Sequence, residues 1–150
     1  MTETTLSCIK IESTPHSLIL PSECVAHIVH EPEVLSDAGQ QAKWMAGYAL
    51  WNGQEIPLLC FENLVSESFD RPDLKPKVII LNPIPKAPRK TYGALLCFGE
   101  IGEITLPSSI KDAPLPAEID RRYCESAFEH DGSVYIIPRL TALGVAFSYY

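Results

Sequence analysis

The sequence predicts a mainly β chain in which two small barrels pack against each other. Three features predict it: apolar runs are short, one tight hairpin occurs twice at a fixed spacing, and a polar, proline-bearing segment separates the two copies. Most apolar stretches are four to seven residues long, rich in Ile, Val, Leu and Tyr, and bounded by Pro, Gly, Asn or Asp. That is the punctuation of strands, and short helical turns are the most helix it allows.

In order along the chain the candidate strands are 7–11, 17–20, 25–30, 46–51, 54–61, 78–82, 92–98, 101–106, 124–129 and 133–137. These are too many for one small barrel. The clearest pair lies in WMAGYALWNGQEIPLLCFENL, residues 44–64, where Asn52-Gly53 supplies the two positive-φ positions of a type I′ turn. Residues 46–51 should therefore fold straight back onto 54–61.

In CESAFEHDGSVYIIPRLTAL, residues 124–143, Asp131-Gly132 takes the Asn-Gly part, and the apolar run again ends in a short leucine-containing turn. Gly53 matches Gly132, Ile56 matches Tyr135, Leu58 matches Ile137 and Leu64 matches Leu143, all at one offset of 79. A weaker echo places Val25 on Ile101 and Ile28 on Ile104.

One β unit used twice explains both. The first unit is expected over about 6–65, the second over 78–150 with strands free to exchange between them, and the segment SESFDRPDLKPK, 66–77, forms the crossover. Two barrels packed together would bury both faces of a strand at their junction, which accounts for the unbroken hydrophobicity of 44–64. Pro57 and Pro138 each remove a ladder donor from the second hairpin strand, which argues for an edge or barrel-corner position, covered by the other barrel or by a partner protein.

Composition narrows the function. A chain of 150 residues buries roughly 70% of its unfolded surface and needs no disulfide or metal staple. The net charge of -7, with no basic helix or arginine-rich tract, would repel a phosphate backbone, so no nucleic acid partner is expected. MTETTLSCIKIESTP has no basic n-region, and nowhere do about 18 apolar residues run together, so a cytoplasmic protein not inserted in a membrane is expected. The five cysteines, Cys8, Cys24, Cys60, Cys97 and Cys124, never form C-x-x-C and are read as reduced, small buried hydrophobes.

Catalytic signatures are scarce. The chain has no G-x-S-x-G, P-loop, H-E-x-x-H or glycine-rich nucleotide turn. His27 and His30 with Glu31 and Glu33 could suggest a metal site, and Cys24 with His27 a nucleophile and its base. On a regular strand, residues three apart face opposite ways, so surface histidines and a buried Cys24 are the expected outcome, with no metal, no cofactor and no enzyme. The basic residues Lys75, Lys77, Lys86, Arg89 and Lys90 mark a solvated connection, with a docking loop for an acidic partner as the other reading. Trp44, Met45, Tyr48 and Trp51 cluster at the first hairpin. Of these, Trp44, after the polar QQAK, is the candidate contact residue, and Tyr48 and Trp51 are candidate core.

The ordered set SLILPSECVAHIV (17–29), WMAGYALWNGQEIPLLCFENL (44–64), YGALLCFGEIGEITLPSSIKDAP (92–114) and AFEHDGSVYIIPRLTAL (127–143) resembles the CheW-like domain of bacterial chemosensory systems, over about residues 6–143. The resemblance implies two SH3-like five-stranded β-barrel subdomains around a shared hydrophobic junction. It also implies a non-catalytic adaptor that links the cytoplasmic tip of a chemoreceptor to the regulatory domain of a CheA-type histidine kinase. The family hairpin runs G-x-x-N-x-R-G followed by a strand and an Asp. Gly47 and Gly53 hold their places, while Leu50 stands for the Asn, Asn52 for the Arg and Cys60 for the Asp; in the second unit Tyr92-Gly93 opens as the family does and Cys97 replaces an Asp.

By position in that pattern, Val25, His27, Ile28, Trp44, Met45, Gly47 and Asn52 are expected on the receptor side, and Gly99, Glu100 and Ile101 on the kinase side. The leading expectation is a chemosensory scaffold, in a specialised pathway such as surface or twitching motility. Its alternative is a decoupled CheW-like module that binds another regulator, because Asn52 cannot supply the five donors of an arginine.

Overall fold

The computed structural model describes residues 5–12, 17–35, 45–61, 76–84, 92–107, 111–115, 122–130 and 132–147. Its strands are β1 (Thr5–Ile11), β2 (Ser17–Pro21), β3 (Val25–Val29), β4 (Val34–Leu35), β5 (Met45–Trp51), β6 (Gln54–Cys60), β7 (Lys77–Leu81), β8 (Gly93–Cys97), β9 (Ile101–Pro107), β10 (Lys111–Ala113), β11 (Cys124–His130) and β12 (Ser133–Pro138). A 3-10 turn, Ser22–Cys24, joins β2 to β3, and an α-helix, α1 (Leu140–Phe147), follows β12.

The strands form two six-stranded sheets, ordered β10-β11-β12-β2-β1-β9 and β3-β7-β8-β6-β5-β4. Read in opposite directions, the two orders have the same plan. In both, a long antiparallel hairpin (β11-β12 or β5-β6) abuts in parallel the second strand of another hairpin (β1-β2 or β7-β8). The β1-β6 series is thus repeated as β7-β12, and each series lends its first hairpin to the sheet of the other. In the second sheet the edge strands β3 and β4 are successive in the chain, so residues 30–33 carry the backbone from one edge to the other and the sheet must curl. Leu50 N–H donates to the Glu33 carbonyl at 2.9 Å, which extends the β4-β5 pairing by one residue, and His27 of β3 stacks on Trp51 of β5 at 6.4 Å across the opening. The sheets are SH3-like in this curl, and among the described residues no backbone ladder closes them.

Strand periodicity explains the doubly hydrophobic strands. On β6, β7 and β8, the residues Ile56, Leu58, Val78, Ile80, Ala94 and Leu96 fill the core inside the curl of their own sheet. Their alternates Leu59, Ile79, Leu81, Leu95 and Cys97 face a central core shared with Ile9, Ile11, Leu18, Leu20 and Ile136 of the other sheet. That sheet keeps its own inner core of Cys8, Ile19, Leu106, Phe128 and Tyr135. Each fully buried aliphatic side chain stabilises the fold by about 1.5–3 kcal/mol. The repeat at offset 79 has the same physical basis, since Ile56 and Leu58 face one inner core and Tyr135 and Ile137 face the other.

Three expectations need correction. The segment after β12 is an eight-residue helix rather than a short turn. Its residues Leu143, Ala146 and Phe147 enter the central core, and burial there outweighs the modest helix propensity of Thr141, Gly144 and Val145. The two-residue β4 and three-residue β10 are too short for any periodicity signal. Pro57 and Pro138 lie on interior strands, not edges. The parallel pairing starts at Leu58 on β6 and ends at Ile136 on β12, so on that side neither proline owes a donor. None of the five cysteines is in a disulfide, and four are buried.

Asn52 (φ 49°) and Gly53 (φ 73°) both occupy the left-handed region, and Trp51 pairs with Gln54, as a type I′ turn requires. No atom lies within 4 Å of a Cβ built on Gly53. Gly53→Ala is therefore expected to cost about 1 kcal/mol from backbone strain alone, while Asn52→Gly stays within about 0.5 kcal/mol of the native protein. Urea unfolding of the two variants checks this.

Candidate functional site

The chain crosses between the sheets at two equivalent places. At the first, between β2 and β3, Asn82 at the end of β7 holds the Ser22–Cys24 turn twice. Its backbone N–H donates to the Cys24 carbonyl at 2.9 Å, and its side-chain Nδ2 donates to the Glu23 carbonyl at 2.9 Å. At the second, between β8 and β9, the residue after β1 takes that place: Glu12 N–H donates to the Glu100 carbonyl at 2.8 Å.

The first junction is open. Between the turn and the start of α1 lies a groove of about 500 Å³. Glu23 and Cys24 form one side and Leu140 and Thr141 the other, with Leu81, Asn82, Pro83 and Ile84 between them. Leu81 and Ile84 belong to the central core, and Leu140 packs against it, so the groove gives access to the hydrophobic junction of the two units. At the second junction the backbones approach closely, since Gly99 lies against the Glu12 carbonyl where a Cβ would strike it.

The residues expected on the receptor side separate into two faces. β3 carries a bulge between Val25 and His27. The extra residue returns Ile28 to the face of Val25, and both pack against the central core next to the groove. His27 falls on the opposite face, over Trp51, which in turn meets the Tyr92 ring edge-on at 5.0 Å. β9 has no such bulge, so Ile101 packs on the central core while Ile104 packs on the inner core of its sheet. This is the physical reason that the Val25/Ile101 and Ile28/Ile104 echo is weak.

Gly47 is buried at a bulge of β5 with φ 112°, Met45 opens that strand opposite Leu59, and Asn52 is exposed at the hairpin tip, away from the groove. Trp44 lies outside the described residues, as do Lys75, Lys86, Arg89 and Lys90, while Lys77 begins β7. Gly99, Glu100 and Ile101 occupy the second junction. Sequence reasoning omitted Glu23, Asn82, Ile84, Leu140 and Thr141 from the site. Asn82-Pro83 was visible as a strand stop, but its clamp depends on a contact 59 residues away in sequence.

The groove suits binding rather than bond chemistry. Burial, with the Glu23 carboxylate adding to it, pushes the Cys24 thiol above its ordinary value of 9.0, so near neutral pH it is protonated and a poor nucleophile. Among the described residues no group of three or more His, Cys, Asp or Glu side chains could hold a metal ion, and no helix is long and apolar enough to cross a membrane. Cys24 is also the one cysteine that is not buried. In the native protein at pH 8 its alkylation by iodoacetamide is expected to be slower than in the urea-unfolded chain. Glu23→Gln should accelerate the native reaction, since it removes one of the two causes of the raised value. Mass-spectrometric rates of Cys24 labelling check both.

The sequence matches a family profile described as CheW-like domain over residues 8–145. A comparison with curated protein sequences finds no match. Among solved structures, the chain is similar to the crystal structure of the scaffolding protein TtCheW from Thermoanaerobacter tengcongensis, with a TM-score of 0.77 and 17% identity over 95% of this chain and 89% of that one.

Proposed function

Because the chain belongs to the CheW-like family, we propose that it is a non-catalytic chemosensory scaffold that couples a chemoreceptor to a CheA-type histidine kinase, with the open groove as its receptor-docking site. The observation that carries this reading is the groove at the first junction, which opens onto the apolar core shared by the two sheets. Val25 and Ile28 lie beside it, and the Asn82 clamp keeps its wall in place. Gly99, Glu100 and Ile101 lie at the corresponding place in the other unit and are the candidate surface for the kinase. A scaffold with two distinct faces can hold receptor and kinase in one complex, so that the conformational bias of one alters the output of the other.

The decoupled alternative gains one observation: the family arginine position is here a left-handed turn residue, where Asn is at ease and Arg is strained. Calorimetric titration with the regulatory domain of a CheA-type kinase from the same cell separates the two readings. A 1:1 complex of micromolar affinity or tighter is expected, and an absence of heat at two temperatures would favour the decoupled module.

A further inference from the structure

We infer that the tip of the first hairpin is a site of spontaneous covalent modification, where Asn52 cyclises onto Gly53 and reopens as aspartate or isoaspartate, and that the isoaspartate form releases Trp51 from the opening of its sheet. The hairpin ladder ends at Trp51 opposite Gln54, so Asn52 and Gly53 stand outside it. Asn52 is exposed, no hydrogen bond holds its side-chain amide among the described residues, and no atom lies within 4 Å of a Cβ built on Gly53. Without a side chain on Gly53, its backbone nitrogen meets little hindrance in attacking the Asn52 side-chain carbonyl carbon.

A C–N bond forms there, and the amide nitrogen leaves as ammonia with the proton from the Gly53 nitrogen. Water then opens the five-membered succinimide. Attack at the side-chain carbonyl gives aspartate, and attack at the main-chain carbonyl gives isoaspartate, whose main chain runs through Cβ. Asn82 is the internal comparison: its amide is engaged, donating to the Glu23 carbonyl at 2.9 Å, and it precedes Pro83, whose nitrogen has no proton to give up.

The fold sets both the rate and the consequence. Ring closure needs a rotation about the Cα–C bond of Asn52, which the type I′ turn, with Asn52 at φ 49° and Gly53 at φ 73°, resists until the tip opens. Aspartate is at home in such a turn, whereas isoaspartate adds one main-chain atom to a two-residue loop whose length fixes the register. Trp51, the residue before it, is stacked with His27 at 6.4 Å and meets Tyr92 at 5.0 Å, so it is the first side chain that shift moves.

The full chain, aged at mildly alkaline pH in native buffer and in urea, tests this by peptide mass spectrometry, with the aspartate and isoaspartate forms separated by chromatography. Asn52 is expected to react in the native protein while Asn82 does not, about fivefold to thirtyfold more slowly than Asn52 in urea, the protection given by a turn that opens locally. The nuclear Overhauser contact between the Trp51 and His27 rings should be lost in the isoaspartate form. It should persist in the aspartate form and in an Asn52→Gly chain, which also shows no mass change at the tip. Native Asn52 that stays intact after the urea sample has reacted, or that reacts no faster than Asn82, overturns the modification site. An isoaspartate form that keeps the contact between Trp51 and His27 overturns the release of Trp51.

Discussion

Gly99→Ala is expected to lower the unfolding free energy by about 3 kcal/mol or more, the upper end of what overpacking costs. A Cβ at this position would meet the carbonyl of Glu12, which is backbone. A flexible side chain could swing aside, but here the end of β1 and the β8-β9 crossover must part. That movement breaks the Glu12-to-Glu100 hydrogen bond and disturbs the β1-β9 pairing, whose seven registered pairs run from Thr5 to Ile11. For a chain of this length a loss of that size lowers Tm by about 6–12 °C. Thermal melts of Gly99→Ala beside Gly53→Ala separate the two mechanisms, since the second costs backbone strain only. Equal melts for the two variants would show that the second junction is not tight at Gly99.

The second large effect concerns the helix. Phe147 is buried in the central core, and its ring lies so close to Gly93 of β8 that a Cβ there would overlap it. Phe147→Ala is expected to cost about 3–5 kcal/mol, as truncation of a buried aromatic does. Gly93→Ala alone should cost about 1–3 kcal/mol through overpacking. In the double variant the added methyl enters the space the ring has left, so the loss should be smaller than the two single losses added together. A double-mutant cycle by urea denaturation measures that coupling, and residues in direct contact ordinarily couple by about 0.5–3 kcal/mol. Additive losses would mean that α1 does not seal the junction against β8.

Much of this architecture was legible before any coordinates. The hairpins at Asn52-Gly53 and Asp131-Gly132 are encoded locally, and alternation on β6 and β12 carries the repeat. The reciprocal exchange of the β1-β2 and β7-β8 hairpins was harder to read, because nothing in Ile9 or Ile79 specifies which sheet each one joins; both face the same central core. The helix escaped notice because LTALGVAF is apolar on nearly all sides and buried by its surroundings rather than patterned for one face. The site was the least legible part. Val25 and Ile28 share a face only because of a bulge, and the groove arises from turn, strand end and helix brought together by a clamp between Asn82 and Glu23.

The claim that the open junction is where a chemoreceptor docks is tested most directly by alkylation of Cys24 during titration with the cytoplasmic tip of a chemoreceptor from the same cell. Cys24 lines the groove and the other four cysteines are buried, so the native protein carries its own reporter. Docking in the groove predicts that the labelling rate falls in proportion to the fraction bound. Saturated binding with an unchanged Cys24 rate would place the receptor elsewhere on the molecule and contradict the assignment.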